Sequence, residues 1–179
     1  MKQDNILFVI ILAGLVLFIY LILKKNKMFK RVSKNFYWHE LFRTNTGLNN
    51  DPLPEKEKYV NENLYQLVLH TLQPIRDILG RVKINSGFRS EAVNNKIGGA
   101  SNSQHRKGQA VDIVPIDISV FKGFENIKNS NIPFDQLIYE NHNGKQWVHV
   151  SYNKVNNRRN IMSANWNEDL GRMEYKNLV

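Results

Sequence analysis

The sequence predicts an α+β fold: a small antiparallel sheet with helices packed around it, preceded by one N-terminal transmembrane helix. Three observations predict it. Residues 6–23 are apolar or neutral without a single charge, and a helix of eighteen residues spans roughly 27 Å. Apolar residues recur with helical spacing from Val60 to Leu79. Late in the chain, two strand-like runs flank Asn143-Gly144, the residue pair that favours a two-residue hairpin turn.

Taken in order, the span 6–23 reads as a retained anchor rather than a cleaved leader, because no small-x-small site follows it. The chain carries a net charge of +9, and Lys24, Lys25, Lys27, Lys30, Arg31 and Lys34 crowd the stretch just after the span. The high pI thus reports a juxtamembrane cluster, and no nucleic-acid partner is expected. By the positive-inside rule the cluster puts the following domain in the cytoplasm. Cysteine is absent, which excludes disulfides and thiolate metal sites. The divisions are an anchor over 1–24, a basic linker over 25–34, a folded domain over 35–155 and a C-terminal extension over 156–179.

Within the domain, Phe36, Trp38, Leu41 and Phe42 suit one short amphipathic turn, on which His39 and Glu40 read as surface residues. Pro54 suits a first helical turn. Val60, Leu64, Leu67, Val68, Thr71, Leu72, Ile75 and Leu79 form the buried stripe of the helix that follows; Pro74 breaks or kinks it, and Gly80 caps it. RVKINSGFR is a strand running into a glycine-bearing loop, followed by a short helix and the Gly98-Gly99 turn. AVDIV is a buried strand. Residues 116–129 read as a helix capped by Ser119 or Asp117, with Val120, Phe124 and Ile127 on its buried side. The two-residue turn sets the hairpin register: His142 opposite Lys145, Glu140 opposite Trp147, Ile138 opposite His149. The tail, rich in Asn and charge, reads as an extension from which Trp166, Leu170 and Met173 dock on the domain.

The chemistry sits between Ser86 and Asp112, SGFRSEAVNNKIGGASNSQHRKGQAVD, with a delayed partner in WVHVSY. His105, Asp112 and His149 make a set of two imidazoles and one carboxylate. Such a set suits a catalytic Zn²⁺, which keeps its fourth position open. Gly108 allows the sharp bend after His105 that leads into the Asp112 strand. The hairpin register puts Glu140 on the face of His149, diagonally beside it, and makes Glu140 the candidate general base. His142 is a second, more distant one. Arg89 is a candidate clamp for a substrate carboxylate, or else a structural partner of Glu91 or Asp112. Ser103 and Gln104, leading into His105, are candidate substrate contacts.

The pattern Ser-x-His-x-x-Gly-x-Ala-x-Asp at Ser103, His105, Gly108, Ala110 and Asp112, with Trp-x-His ending at His149, resembles the D-Ala-D-Ala carboxypeptidase family of zinc peptidases, which includes phage L-Ala-D-Glu endopeptidases. Arg89, Asn94 and Gly98-Gly99 fit it too, over about residues 35–153. The resemblance implies zinc-dependent hydrolysis of peptidoglycan stem peptides, at a bilayer in a bacterial envelope or a viral membrane, with virion or envelope proteins as further partners. A wall-acting domain belongs on the side of the membrane opposite to the one the basic cluster indicates, and both orientations stay open. The sequence departs from the family at Gln146, where many relatives keep a Glu base three residues before the last ligand. Either Glu140 supplies the carboxylate, or the domain is a non-catalytic wall-binding or virion module that retains its metal site.

Overall fold

A computed structural model describes residues 2–28 and 30–178, with the side chains of 2–7 and 24–28 excepted. Helix α1 runs Lys2–Met28. Its apolar side chains from Phe8 to Leu23 are between 42% and 66% exposed. Among the described residues no helix is long and apolar enough to cross a membrane. The first two residues of the expected span, Ile6 and Leu7, lie outside the described side chains. The expected transmembrane helix is therefore not met by the described residues.

The domain follows: α2 Trp38–Phe42, α3 Pro54–Leu67, α4 Gln73–Leu79, β1 Val82–Ser86, α5 Glu91–Lys96, β2 Ala110–Pro115, α6 Val120–Lys128, β3 Gln136–His142, β4 Lys145–Ser151, β5 Asn160–Asn167 and β6 Arg172–Asn177. Every residue of the expected helical stripe from Val60 to Leu79 is buried. The helix is not continuous, however. Pro74 has no N–H to give to the turn before it, and Val68–Leu72 widens into a π-helical turn between α3 and α4. Helix α6 starts at Val120, later than expected. Ser119 caps it by accepting from Lys122 N–H, while Asp117 is engaged by Arg81.

One six-stranded sheet organises the domain, in the order β1-β2-β4-β3-β5-β6. Two expectations are corrected here. The sheet is mixed, because β5 pairs parallel with β3. The tail is not a docked extension, because it supplies β5 and β6. Asp135, 1% exposed, explains how the tail returns. Its carboxylate accepts from Arg158 N–H, Nε and Nη2, and its carbonyl accepts from Asn160 N–H. The chain leaving β4 is thereby turned back alongside β3.

The two faces of the sheet differ. Val111, Ile113, Leu137, Val148, Val150 and Ile161 join the main core with residues of α3, α4 and α6. Alternation sends their neighbours Asp112, Ile138, Glu140, Trp147 and His149 to the other face. There a smaller apolar group forms from Ile138, Met162 and Ala164 with Met173. Asn143 and Gly144 both have positive φ, 51° and 81°, and the β3–β4 register is the expected one.

Gly87 carries the contact between α2 and the loop after β1. A Cβ there would lie 2.3 Å from Leu41 O, the atom that accepts from Phe88 N–H at 2.8 Å. Gly87→Ala is expected to cost about 1–3 kcal/mol through overpacking, read as a lower midpoint in urea unfolding at an unchanged slope.

Candidate metal centre

Three elements bring the site together. His105 stands in a 3-10 turn, Gln104–Lys107, that Gly108 closes in the left-handed conformation. A side chain at Gly108 would strike Val60 O at 2.7 Å, so the turn needs glycine for both φ and space. Asp112 and His149 are direct cross-strand partners in β2 and β4. All three side chains are buried.

Their distances fit a metal. His105 Nε2 lies 3.2 Å from His149 Nδ1 and 3.2 Å from Asp112 Oδ1, and His149 Nδ1 lies 3.0 Å from the same oxygen. A tetrahedral ion with bonds of about 2.0–2.1 Å sets its ligand atoms about 3.3 Å apart. The triangle is thus close to one face of that tetrahedron. Among the described residues these three are the group of His and carboxylates able to hold a metal ion.

The surroundings prepare each donor. His105 Nδ1 contacts the Gly87 carbonyl oxygen at 2.7 Å. A carbonyl only accepts, so Nδ1 carries the hydrogen and Nε2 presents its lone pair to the centre. Burial holds the His105 pKa below its ordinary value, aided by the Arg89 charge and opposed by Asp112. Burial alone would raise the Asp112 carboxyl. Its contacts with His105, His149 and Arg89 outweigh that and hold it well below the usual carboxylate range. Neutral imidazoles beside an ionised carboxylate are the protonation states a divalent ion requires.

The candidate residues separate clearly. Arg89 takes Asp112 as its partner: Nη2 donates to Oδ2 and Nε donates to Ser86 Oγ at 2.8 Å. Glu91 pairs with Arg106 instead. Arg89 thus holds the carboxylate so that Oδ1 faces the imidazoles. Gln104 Nε2 donates to Asp135 Oδ2 at 2.8 Å, which turns that amide nitrogen toward a structural hub. Ser103 is the N-cap of the 3-10 turn without a side-chain capping bond. His142 is exposed, its ring tilted against Trp166 with centroids 4.3 Å apart. Gln146 is exposed and pairs with Asn141. With no bulge in the hairpin, it faces away from His149.

Glu140 is opposite Trp147, on the His149 face. Burial first, then the Asp112 charge, pushes its carboxyl up to about 7, against the opposing pull of His149, Arg89 and Trp147. The Trp147 Nε1–H is close enough to contribute to that pull, yet it is buried without a partner in hydrogen-bond geometry. A carboxyl poised near neutrality beside a metal centre is what general base work needs.

The family profile described as Peptidase M15 matches residues 35–151, which contain the three metal-facing side chains, Arg89 and Glu140. The chain belongs to the peptidase M15 family. It is also similar to the zinc D-Ala-D-Ala carboxypeptidase of Streptomyces albus G, at 33% identity over 81 residues, 44% of this chain. The similar stretch spans 31% of that relative.

Two supporting residues of this M15 site escape sequence reading. The Asn50 amide donates to the Phe42 and Phe88 carbonyls, and its oxygen accepts from Ser90 N–H. It thereby ties down the loop that carries Arg89, and no local pattern announces it. Gly87 was visible only as part of SGFR, with nothing to show that its carbonyl would orient His105.

The centre is expected to take up one Zn²⁺ per chain. At 100- to 1,000-fold excess over Kd the ion adds about 3–4 kcal/mol to stability, seen as a rise in melting temperature that chelator reverses. His105→Ala removes stoichiometric zinc in elemental analysis and abolishes that rise.

Proposed function

We propose that this protein is a zinc-dependent peptidase acting on the stem peptides of peptidoglycan. The observation that carries the reading is the three-atom donor triangle with Glu140 one step along the same face of the sheet. The D-Ala-D-Ala named in the relative supports the substrate class. Held by His105 Nε2, Asp112 Oδ1 and His149 Nδ1, the ion would supply Lewis acidity toward water and a peptide carbonyl.

The chain's own residues do the rest. Glu140 takes the proton of the attacking water on its carboxylate and returns it to the leaving amine. Arg89 keeps Asp112 oriented through Nη2. The Glu140 backbone is fixed by β4 on one side and β5 on the other, so the base is held on rigid strands rather than on a loop.

The reading includes a membrane anchor. Helix α1 is apolar on every side over its described residues 8–23, and that surface is unfavourable in water. Burial of the helix in a bilayer removes this cost. The substrate then asks for the domain on the wall side of the membrane. Carbonate-washed membranes are expected to retain the full-length chain, and the domain in sealed vesicles is expected to be open to protease only from the wall side.

Incubation of the protein with purified peptidoglycan should release peptide fragments that mass spectrometry identifies, and chelator should stop the release. Glu140→Gln should lower the rate by about 10²- to 10⁴-fold with zinc still bound. Gln146→Glu should not rescue it, because residue 146 faces away from the ion. A folded, zinc-loaded wild-type chain that binds the wall without cutting it would support a binding module instead.

A further inference from the structure

The β5–β6 hairpin continues the site face beyond the residues matched by the M15 profile. Its register is explicit. Trp147 is opposite Glu140, Glu140 beside Ala164, and Ala164 opposite Tyr175. These four residues form one row across β4, β3, β5 and β6, and paired residues share a face. The next row runs from Asp112 through His149 and Ile138 to Met162. The metal-facing donors and the tail strands thus share one continuous surface.

Ala164 is fully buried, although this face carries only the small group of Ile138, Met162 and Met173 around it. Having only a methyl group, it leaves the gap over which neighbouring side chains lean. Tyr175, across from it, is 58% exposed and so remains available to a ligand. The charges of Glu140 and Asp112 both reach its hydroxyl: after burial, they are what raises its pKa, with Arg89 opposing. A tyrosine hydroxyl is protonated at neutral pH and can donate a hydrogen bond.

The geometry points to Tyr175 as a substrate-contacting specificity residue, donating to a carbonyl or carboxylate of the peptide on the flank of the site opposite Arg89. This rests on the peptidase reading above. From β4 to β6 is three strand spacings, about 14 Å at roughly 4.8 Å each. An extended peptide rises about 3.3 Å per residue, so the contact falls about four residues from the scissile bond. A substrate laid across the strands passes from Arg89, over the metal-facing donors and Glu140, to Tyr175.

The test uses the full-length, zinc-loaded chain and two probes: a purified stem pentapeptide and a two-residue peptide too short to reach β6. Tyr175→Ala is expected to raise KM for the pentapeptide about tenfold, with kcat within about twofold and zinc content unchanged. Tyr175→Phe should fall between the two, because it keeps the ring and loses the donor. Hydrolysis of the two-residue peptide should be the same in all three proteins. A Tyr175→Ala chain with unchanged KM for the pentapeptide overturns the inference and leaves the peptidase reading standing. Equal loss on both probes also overturns it, since it marks a structural role. A wild-type chain that neither binds nor cuts either probe defeats the peptidase reading, and the inference with it.

Discussion

The structure depends on an electrostatic constraint at one point. Two imidazole nitrogens and a carboxylate oxygen, all buried, face one another at 3.0–3.2 Å. Bringing lone pairs together in a dry interior is unfavourable unless positive charge lies between them. Much of the surrounding architecture answers that demand. The Gly87 carbonyl fixes one tautomer, Arg89 neutralises the far oxygen of Asp112, and Gly108 closes the turn that presents His105. The Arg89–Asp112 pair is itself nearly dry, so loss of either member would leave the other uncompensated.

The position of Glu140 follows from a different rule, strict two-residue alternation. In an unbulged hairpin with an Asn-Gly turn, parity alone decides which residues can see the metal. Glu140 and His149 share parity with the site, and Gln146 does not. A carboxylate at 146 would need a bulge to serve, whereas the one at 140 needs none. Glu140 and His149 thus come from different strands of one ladder, and their relative position is as firm as the ladder.

Much of this was legible in the sequence, for local reasons. The helical stripe and the hairpin register each rest on short-range periodicity or on turn chemistry that acts within a few residues, and the donor set was legible from its motif, with His149 far down the chain. What stayed hidden depends on distant partners. Strand β6, Arg172–Asn177, sits at the edge of the sheet with charged residues on one face, so its two-residue alternation is easily mistaken for a polar tail. Strand β5 pairs parallel with β3 only because Asp135 captures Arg158, 23 residues away. The choice between Ser119 and Asp117 as cap was settled by Arg81, which lies 36 residues from Asp117. Such choices are made by tertiary contacts, and the local pattern is equally compatible with either.

The Asp112–His149 pairing also couples folding to ion capture. In the unfolded chain His105 and Asp112 are seven residues apart, but the third donor is 37 residues beyond Asp112. Closing a loop of that length carries an entropic cost. The ladder between β2 and β4 closes the same loop with a whole set of hydrogen bonds and core contacts. Ladder and ion therefore close the same loop, and each lowers the cost of the other: zinc held by the folded chain adds to its stability, and the assembled ladder adds to its affinity for zinc.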